Sequence, residues 1–209
     1  MDIPCLSCGA ALTVQSPATI FVVCSYCQST MIRDQDWNVF GKMAVLPPEI
    51  TPLQIGTRGV YKGESFTLIG RQRLQWSNGY WNEWYALFAK GKGGWLAEAQ
   101  GFYMLSFPLE TLPKLPNLNS LKAGDPIALP GRGSFQVDDI KAAQCVASEG
   151  ELPFAAPARQ DILSIEASNG KGEFLAIESI GPALQVHLGR YLEFNDFQFT
   201  QLRQLDGWS

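Results

Sequence analysis

The chain has 209 residues, 46% hydrophobic and only 17% charged, a core-rich composition that excludes a disordered linker or tail protein. A formal charge of -4, with 16 Lys and Arg against 20 Asp and Glu, argues against a general nucleic-acid-binding surface, which needs clustered cations. Twenty glycines, thirteen prolines and twelve Phe with six each of Trp and Tyr favour strands and turns over helices.

The first element is a pair of Cys-x-x-Cys motifs, Cys5/Cys8 and Cys24/Cys27, separated by fifteen residues. That spacing suits a four-thiolate metal site, each pair forming a knuckle that aims both sulfurs at one ion. Gly9 supplies backbone freedom after the first knuckle. Between the knuckles, Ala11–Gln15 and Thr19–Val23 read as two short strands around a Ser16-Pro17 turn. The plan is a zinc ribbon over residues 1–40 with a structural zinc as cofactor, although a four-sulfur set also accepts iron. So short a module buries too little apolar surface to fold alone, so the metal supplies its stability. Residues 1–36 hold one Arg, no Lys and three acids, so this ribbon lacks the cations for nucleic acid.

A proline-rich linker is expected over 41–52, around Leu46-Pro47-Pro48. A first β-domain follows over 53–111. Phe66 to Trp76 alternates with period two, and Arg71 and Arg73 fall on its polar, solvated face. Ser77-Asn78-Gly79 marks a hairpin into a strand apolar on both faces through Trp84, Tyr85, Ala86, Leu87 and Phe88. Trp95–Ala99 and Phe102–Phe107 continue the meander.

Residues 112–120 form a second linker, and 121–209 a second β-domain with strands at Ser134–Asp138, Asp161–Ala167, Glu173–Glu178 and Ala183–Gly189. Its sequence starts over. Leu53-Gln54-Ile55-Gly56 aligns with Leu121-Lys122-Ala123-Gly124, Ser65-Phe66 with Ser134-Phe135, and Lys92–Ala97 with Lys171–Ala176, in the same order. These matches indicate an internal duplication. Phe199, Leu202, Leu205 and Trp208 recur every three residues, as a short closing helix requires.

The opening Cys-x-x-Cys-Gly and the second Cys pair are followed by Leu53-x-x-Gly56-x-x-Gly59 and Phe66-Thr67-Leu68-Ile69-Gly70-Arg71. Then come Trp81-x-Glu83-Trp84-Tyr85, Gly94-Trp95-Leu96-Ala97-Glu98 and Glu149–Phe154. Together these resemble bacterial proteins carrying the domain of unknown function numbered 4178, often preceded by a zinc ribbon. The resemblance implies no reaction and no catalytic residues. It does imply an accessory part in a multi-protein, membrane-stress system.

Candidate sites beyond the cysteines are few. The rings of Trp76, Tyr80, Trp81, Trp84, Tyr85, Phe88 and Trp95 are either a β-domain core or a groove for an extended peptide. In the groove reading Tyr80 and Trp81 bind the partner and Glu83 fixes its orientation. Alternation favours the core for Trp84 and Phe88. Glu149 and Glu151, with Asp138 and Asp139 upstream, are an acid/base pair only if the fold brings them together. His187 lies on a polar alternation and reads as surface, and Cys145 as a small buried residue.

The whole reads as mainly β: a four-cysteine zinc ribbon followed by two tandem, related small β-barrel or sandwich-like domains. The expected function is a non-catalytic adaptor for another protein. The alternative is an enzyme or small-molecule binder with Glu83, Glu149 or Glu151 lining a cleft between the β-domains. No secretory leader or membrane-spanning stretch is expected, peripheral membrane association stays open, and five cysteines suit a reducing cytoplasm.

Overall fold

A computed structural model describes residues 1–46 and 49–205. Each cysteine pair sits in the bend of its own hairpin. Strand β1 (Asp2–Pro4) pairs with β2 (Ala11–Thr13), and β3 (Phe21–Val23) pairs with β4 (Ser29–Arg33). The strands expected to pair around Ser16-Pro17 therefore belong to different sheets. The knuckles, not the proline turn, close the two hairpins. β5 (Trp37–Lys42) pairs with β4 and forms the outer edge of the main sheet.

Two five-strand meanders follow. The first comprises β6 (Arg58–Tyr61), β7 (Glu64–Trp76), β8 (Gly79–Phe88), β9 (Gly93–Ala99) and β10 (Phe102–Pro108). The second comprises β11 (Pro126–Leu129), β12 (Gly133–Leu152), β13 (Asp161–Ser168), β14 (Glu173–Ile180) and β15 (Ala183–Leu192). β8 is buried on both faces, as its unbroken apolar run requires. The β7–β8 loop is Ser77-Asn78, one residue before the Asn-Gly signal, because Trp76 pairs with Gly79. Glycine is needed there for space: a Cβ on Gly79 would lie 2.9 Å from the Trp76 ring.

The meanders are not separate barrels. β10 pairs with β15, and β12 pairs with β7, so β7-β8-β9-β10-β15-β14-β13-β12 close into one antiparallel ring. This corrects the expectation of two tandem β-domains: β10 meets β15, and the part of β7 beyond β6 meets the part of β12 beyond β11. β12 is long enough to stitch three parts together. Its Gln136–Gln144 pair with β13, Cys145–Gly150 with β7, and Gly150–Leu152 with β3 of the ribbon. Glycine lets the seams close. A Cβ on Gly70 would sit 1.8 Å from the Glu151 carbonyl oxygen, and one on Gly189 would sit 2.3 Å from that of Leu105.

Equivalent details recur in the two meanders. Gly56 and Gly124 both have positive φ, +93° and +92°. Gly56 N–H bonds the Leu68 carbonyl and Leu68 N–H that of Thr57; Gly124 and Val137 repeat this with Asp125. The first long strand of each meander carries a bulge at the matching place, between Leu68 and Gly70 and between Val137 and Asp139.

The apolar clusters of the meanders lie outside the ring wall. Leu68, Trp84, Ala86, Leu96 and Leu105 are covered by Leu53 and by Phe197, Phe199 and Leu202 of the tail. Val137, Ile165, Leu175, Ile177 and Val186 are covered by Ile127, Leu129, Leu115, Leu118 and Leu121. Residues 112–120 thus pack partly against the second cluster. Around the first linker, Met43 and Leu46 are buried with Phe21, Leu74 and Trp81; Pro47 and Pro48 lie outside the described residues. The closing helix is not formed over 199–205, where the chain is irregular, bridges Arg58 at Thr200 and turns at Gln201 with φ of 56°. A 3-10 turn at Phe194–Phe197 precedes it, and Trp208 lies outside the described residues.

Candidate metal centre and barrel chamber

The two knuckles are built alike. Gly9 N–H bonds the Cys5 carbonyl and Gln28 N–H that of Cys24, at 2.8 and 2.9 Å. The residue after each second cysteine takes positive φ, Gly9 at 77° and Gln28 at 60°. All four sulfurs lie within 4.8 Å of one another. Cys5 and Cys27 are 3.7 Å apart, and Cys8 and Cys24 are 3.8 Å apart. A tetrahedral centre with Zn–S bonds of about 2.3 Å sets its sulfurs about 3.8 Å apart, so the donor set fits such an ion.

The electrostatics agree. The Ser29 hydroxyl, 3.2 Å from Cys27 Sγ, and then the Ser29 backbone N–H lower the Cys27 thiol to about 6. Cys8 is instead pushed up to about 12: the Ala10 backbone N–H favours its thiolate, but Cys27, Cys5, Cys24 and burial outweigh it. Four crowded sulfurs resist full deprotonation unless a cation compensates them.

Glu151 fastens the ribbon to the ring. Its buried carboxylate accepts the backbone N–H groups of Gln15, at 3.0 Å, and Ser16, at 3.3 Å, and the Thr19 hydroxyl at 2.8 Å. Glu149 instead accepts from Arg71 at 2.7 Å. The imagined Glu149/Glu151 acid/base pair thus resolves into two structural acceptors. Asp138 takes the Ser168 hydroxyl, and Asp139 pairs with Lys141.

Arg71 and Arg73 are buried, contrary to the solvated face expected for them. Both pair with Glu49, and Arg71 stacks over Trp84 while Arg73 stacks over Tyr80. Beside them Glu98 accepts from Trp84 Nε1 at 3.0 Å. These charges are already compensated, which leaves no grip for an anion.

The three proposed partner-binding residues are separated. Tyr80 is half-exposed on the outer face, beside Arg73, whereas Trp81 is buried and faces the ring interior with Glu83. There, Trp81 Nε1 donates to Glu83 Oε1 at 2.8 Å and Gln72 Nε2 to Glu83 Oε2 at 2.6 Å. Sequence reasoning missed the rest of this interior. Glu166, Glu178, His187, Ser106 and Ser164 join Glu83 around a cavity of about 30 Å³, walled by Trp81, Trp95 and Phe174. Their regular polar alternation was the available signal, since alternate residues of a closed ring point inward.

Burial first, then the charge and hydrogen bond of Glu83 and the charge of Glu166, push the Glu178 carboxyl well above the usual carboxylate range. Burial likewise raises Glu166, against the pull of Lys141. His187 is 7% exposed, not the surface residue expected, and burial alone lowers it to about 4. Cys145 is buried as expected, and burial raises its thiol to about 11.

The Glu178 shift makes stability depend on pH. The folded state holds a proton that the unfolded chain releases above its ordinary value of 4.5. The stabilisation is therefore complete below that pH and is lost as pH rises toward the folded value. Glu178→Gln is expected to raise the melting temperature by several degrees at pH 7.5 and to leave it unchanged at pH 4. Thermal melts across that range check this; an equal gain at both ends would contradict it.

Among the described residues no helix is long and apolar enough to cross a membrane. No curated protein and no solved structure is similar to the chain. Residues 54–194, which include both meanders and every chamber residue, match the domain of unknown function DUF4178, and the chain belongs to that family.

Proposed function

We propose that the protein is a non-catalytic interaction module whose ribbon, residues 1–40, is held by a structural zinc and presents a surface to a protein partner. The observation that carries this reading is the ribbon's exposed apolar surface. Leu6 and Tyr26, at the two knuckles, are 51% and 75% exposed, and Val39 and Phe40 on the edge strand β5 are each 51% exposed. Four thiolates fill the coordination shell of a tetrahedral ion, which suits a structural role. The free edge of β5 offers unpaired backbone groups for strand addition. Thiolate ligands favour a reducing cytoplasm as the setting, and a bacterial membrane-stress assembly is the kind of system such an accessory would serve. The matching glycines and bulges support descent of the two meanders from one duplicated unit.

The test is a double variant, Tyr26→Ser with Val39→Ser, at positions exposed enough to leave stability within about 0.5 kcal/mol. Crosslinking in cells of the source organism is expected to join wild type to a defined protein through the ribbon. The variant should lose that product while keeping its melting temperature. An identical crosslinking pattern for both would contradict the reading.

A second reading, a small-molecule-binding protein with its site between the meanders, is favoured by one observation. Glu83 comes from the first meander and Glu166, Glu178 and His187 from the second, and all four meet at one enclosed cavity.

A further inference from the structure

On the outer face of the first meander, β8, β9 and β10 meet the segment around Thr51 and the tail at a pocket of about 880 Å³. That volume suits a small organic molecule. Tyr80, Tyr103, Phe194, Leu202 and Pro52 give the pocket largely apolar walls. The Arg203 N–H bonds the Pro52 carbonyl at 2.8 Å, which ties the tail to the segment beside Thr51. Three polar residues, Thr51, Asn82 and Glu98, also line the pocket, and all are buried.

Glu98 sets the chemistry. It is 7% exposed, and its Oε2 accepts Trp84 Nε1 at 3.0 Å and Asn82 Nδ2 at 3.4 Å, while Oε1 accepts the Thr51 hydroxyl. All three donors are neutral, and they fill three of the roughly four lone-pair sites of a carboxylate. Compensation around it is one-sided. Arg71 and Arg73 have Glu49 and Glu149, but among the described residues no ion pair reaches Glu98. Arg73 meets it only through Asn82, whose Oδ1 takes Arg73 Nε at 3.2 Å. Arg203 lines the pocket without pairing with it. The unmatched charge is felt next door: burial, and then the charge of Glu98, push the Tyr103 phenol up to about 12. A buried carboxylate without a counter-ion is costly, so a cation that reaches it is favoured.

The pocket narrows the kind of cation. Among the described residues only the four cysteines gather three or more metal-ligating atoms, and a bare ion would leave the apolar walls uncovered. Glu98 repels an anion, and a neutral apolar ligand leaves its charge unmatched. An ammonium head on a carbon body meets both demands. Its N–H reaches the open site on Oε1, the faces of the Tyr80 and Tyr103 rings attract its charge, and its body displaces water along Phe194 and Leu202.

We propose that this outer pocket binds a small organic cation, a protonated amine carried on an apolar body, with Glu98 as its counter-ion and Tyr80 and Tyr103 beside it. The site is separate from the ribbon surface and from the chamber, so its failure leaves both readings of the function as they stand.

The probe is phenethylamine added to the full, zinc-loaded chain, with phenethyl alcohol and phenylacetate as the same ring carrying a neutral or an anionic head. Calorimetric titration is expected to show saturable binding of the amine, binding of the alcohol weaker by about tenfold or more, and none of the acid. The indole N–H resonance of Trp84, bonded to Glu98, should shift with the amine. Glu98→Gln should bring the amine down to the affinity of the alcohol. Because that buried position also holds Trp84 and Asn82, Tyr80→Ala, at a half-exposed position, is the second variant. It should weaken the amine by about fivefold while the melting transition stays cooperative. No binding of the amine, equal affinity for amine and alcohol, or binding unaffected by both variants would overturn the proposal. Binding seen only after Arg203→Ala would make Arg203 the counter-ion of Glu98 and overturn it as well.

Discussion

Replacing Cys8 by serine is expected to unfold residues 2–33 while the ring keeps its strands. Cys8 is exposed, so an oxygen in place of its sulfur removes almost no packing. Any large contribution must come from its place as one of four clustered sulfurs that fit a metal ion. Zinc binding supplies about 10–16 kcal/mol in small four-ligand modules, as much as the whole stability of an ordinary domain. The ribbon's own core, Ile3, Leu12, Val14, Val22 and Met31 around buried Cys5 and Cys24, is too small to replace it. Hydrogen exchange followed by mass spectrometry should show amides of β1 to β4 losing at least a hundredfold of protection, with β8, β9 and β14 unchanged. Cys8→His should restore much of it, because imidazole is an accepted fourth ligand of such a centre. Native protection in Cys8→Ser would show that the cysteines hold the ribbon without an ion.

Gly70→Ala is expected to cause the largest loss in the ring. Its Cβ would have to occupy a point 1.8 Å from the Glu151 carbonyl oxygen and 3.0 Å from Leu152 Cδ2. The first of these is backbone, so no rotamer change relieves it. Relief requires β7 and β12 to part where Gly70 pairs with Gly150, and the same shift disturbs Glu151, which fastens the ribbon. A loss of about 3 kcal/mol, the upper end for overpacking, corresponds to about 6–12 °C in melting temperature for a chain of this size. Gly170→Ala is the control, since nothing lies within 4 Å of its Cβ and its φ is not in the left-handed region. It should shift the transition by less than about 0.5 kcal/mol. Equal behaviour of the two variants would mean that the seam is not closed as described.

Local patterns carried much of this architecture in the sequence. The Cys-x-x-Cys spacing is set by the knuckle itself, so the four cysteines that cluster could be named without knowing the fold. The doubly apolar run of β8 likewise announced a strand covered on both sides. Failures came where the meaning of an alternation depends on closure. Arg71 and Arg73 look solvated because their partner, Glu49, lies 22 residues upstream of Arg71 in a segment with no strand signal. His187 and Glu178 occupy polar positions of their strands, which in an open sheet face water. In the closed ring the polar face is interior, and the apolar face is covered from outside by Leu53, the tail and the segment around Leu121. Ordered matches between residues 53–97 and 121–176 were readable, but pairing between the two meanders, β10 with β15 and β7 with β12, leaves no mark in either stretch.

Trp81 and Glu83 show the same effect on function. Their spacing suggested one surface with Tyr80, and a strand sends neighbours to opposite faces. Trp81 and Glu83 therefore build the chamber, while Tyr80 lies outside against Arg73.

The central claim is that one ion organises the amino-terminal module and that the rest of the molecule is built onto it through β3 and Glu151. Native mass spectrometry of reductant-treated protein tests this most directly. The account predicts a species carrying one zinc per chain, converted to the bare mass by Cys8→Ser. A wild-type chain with no bound ion, or one whose mass shows the four thiols paired as disulfides, would contradict it.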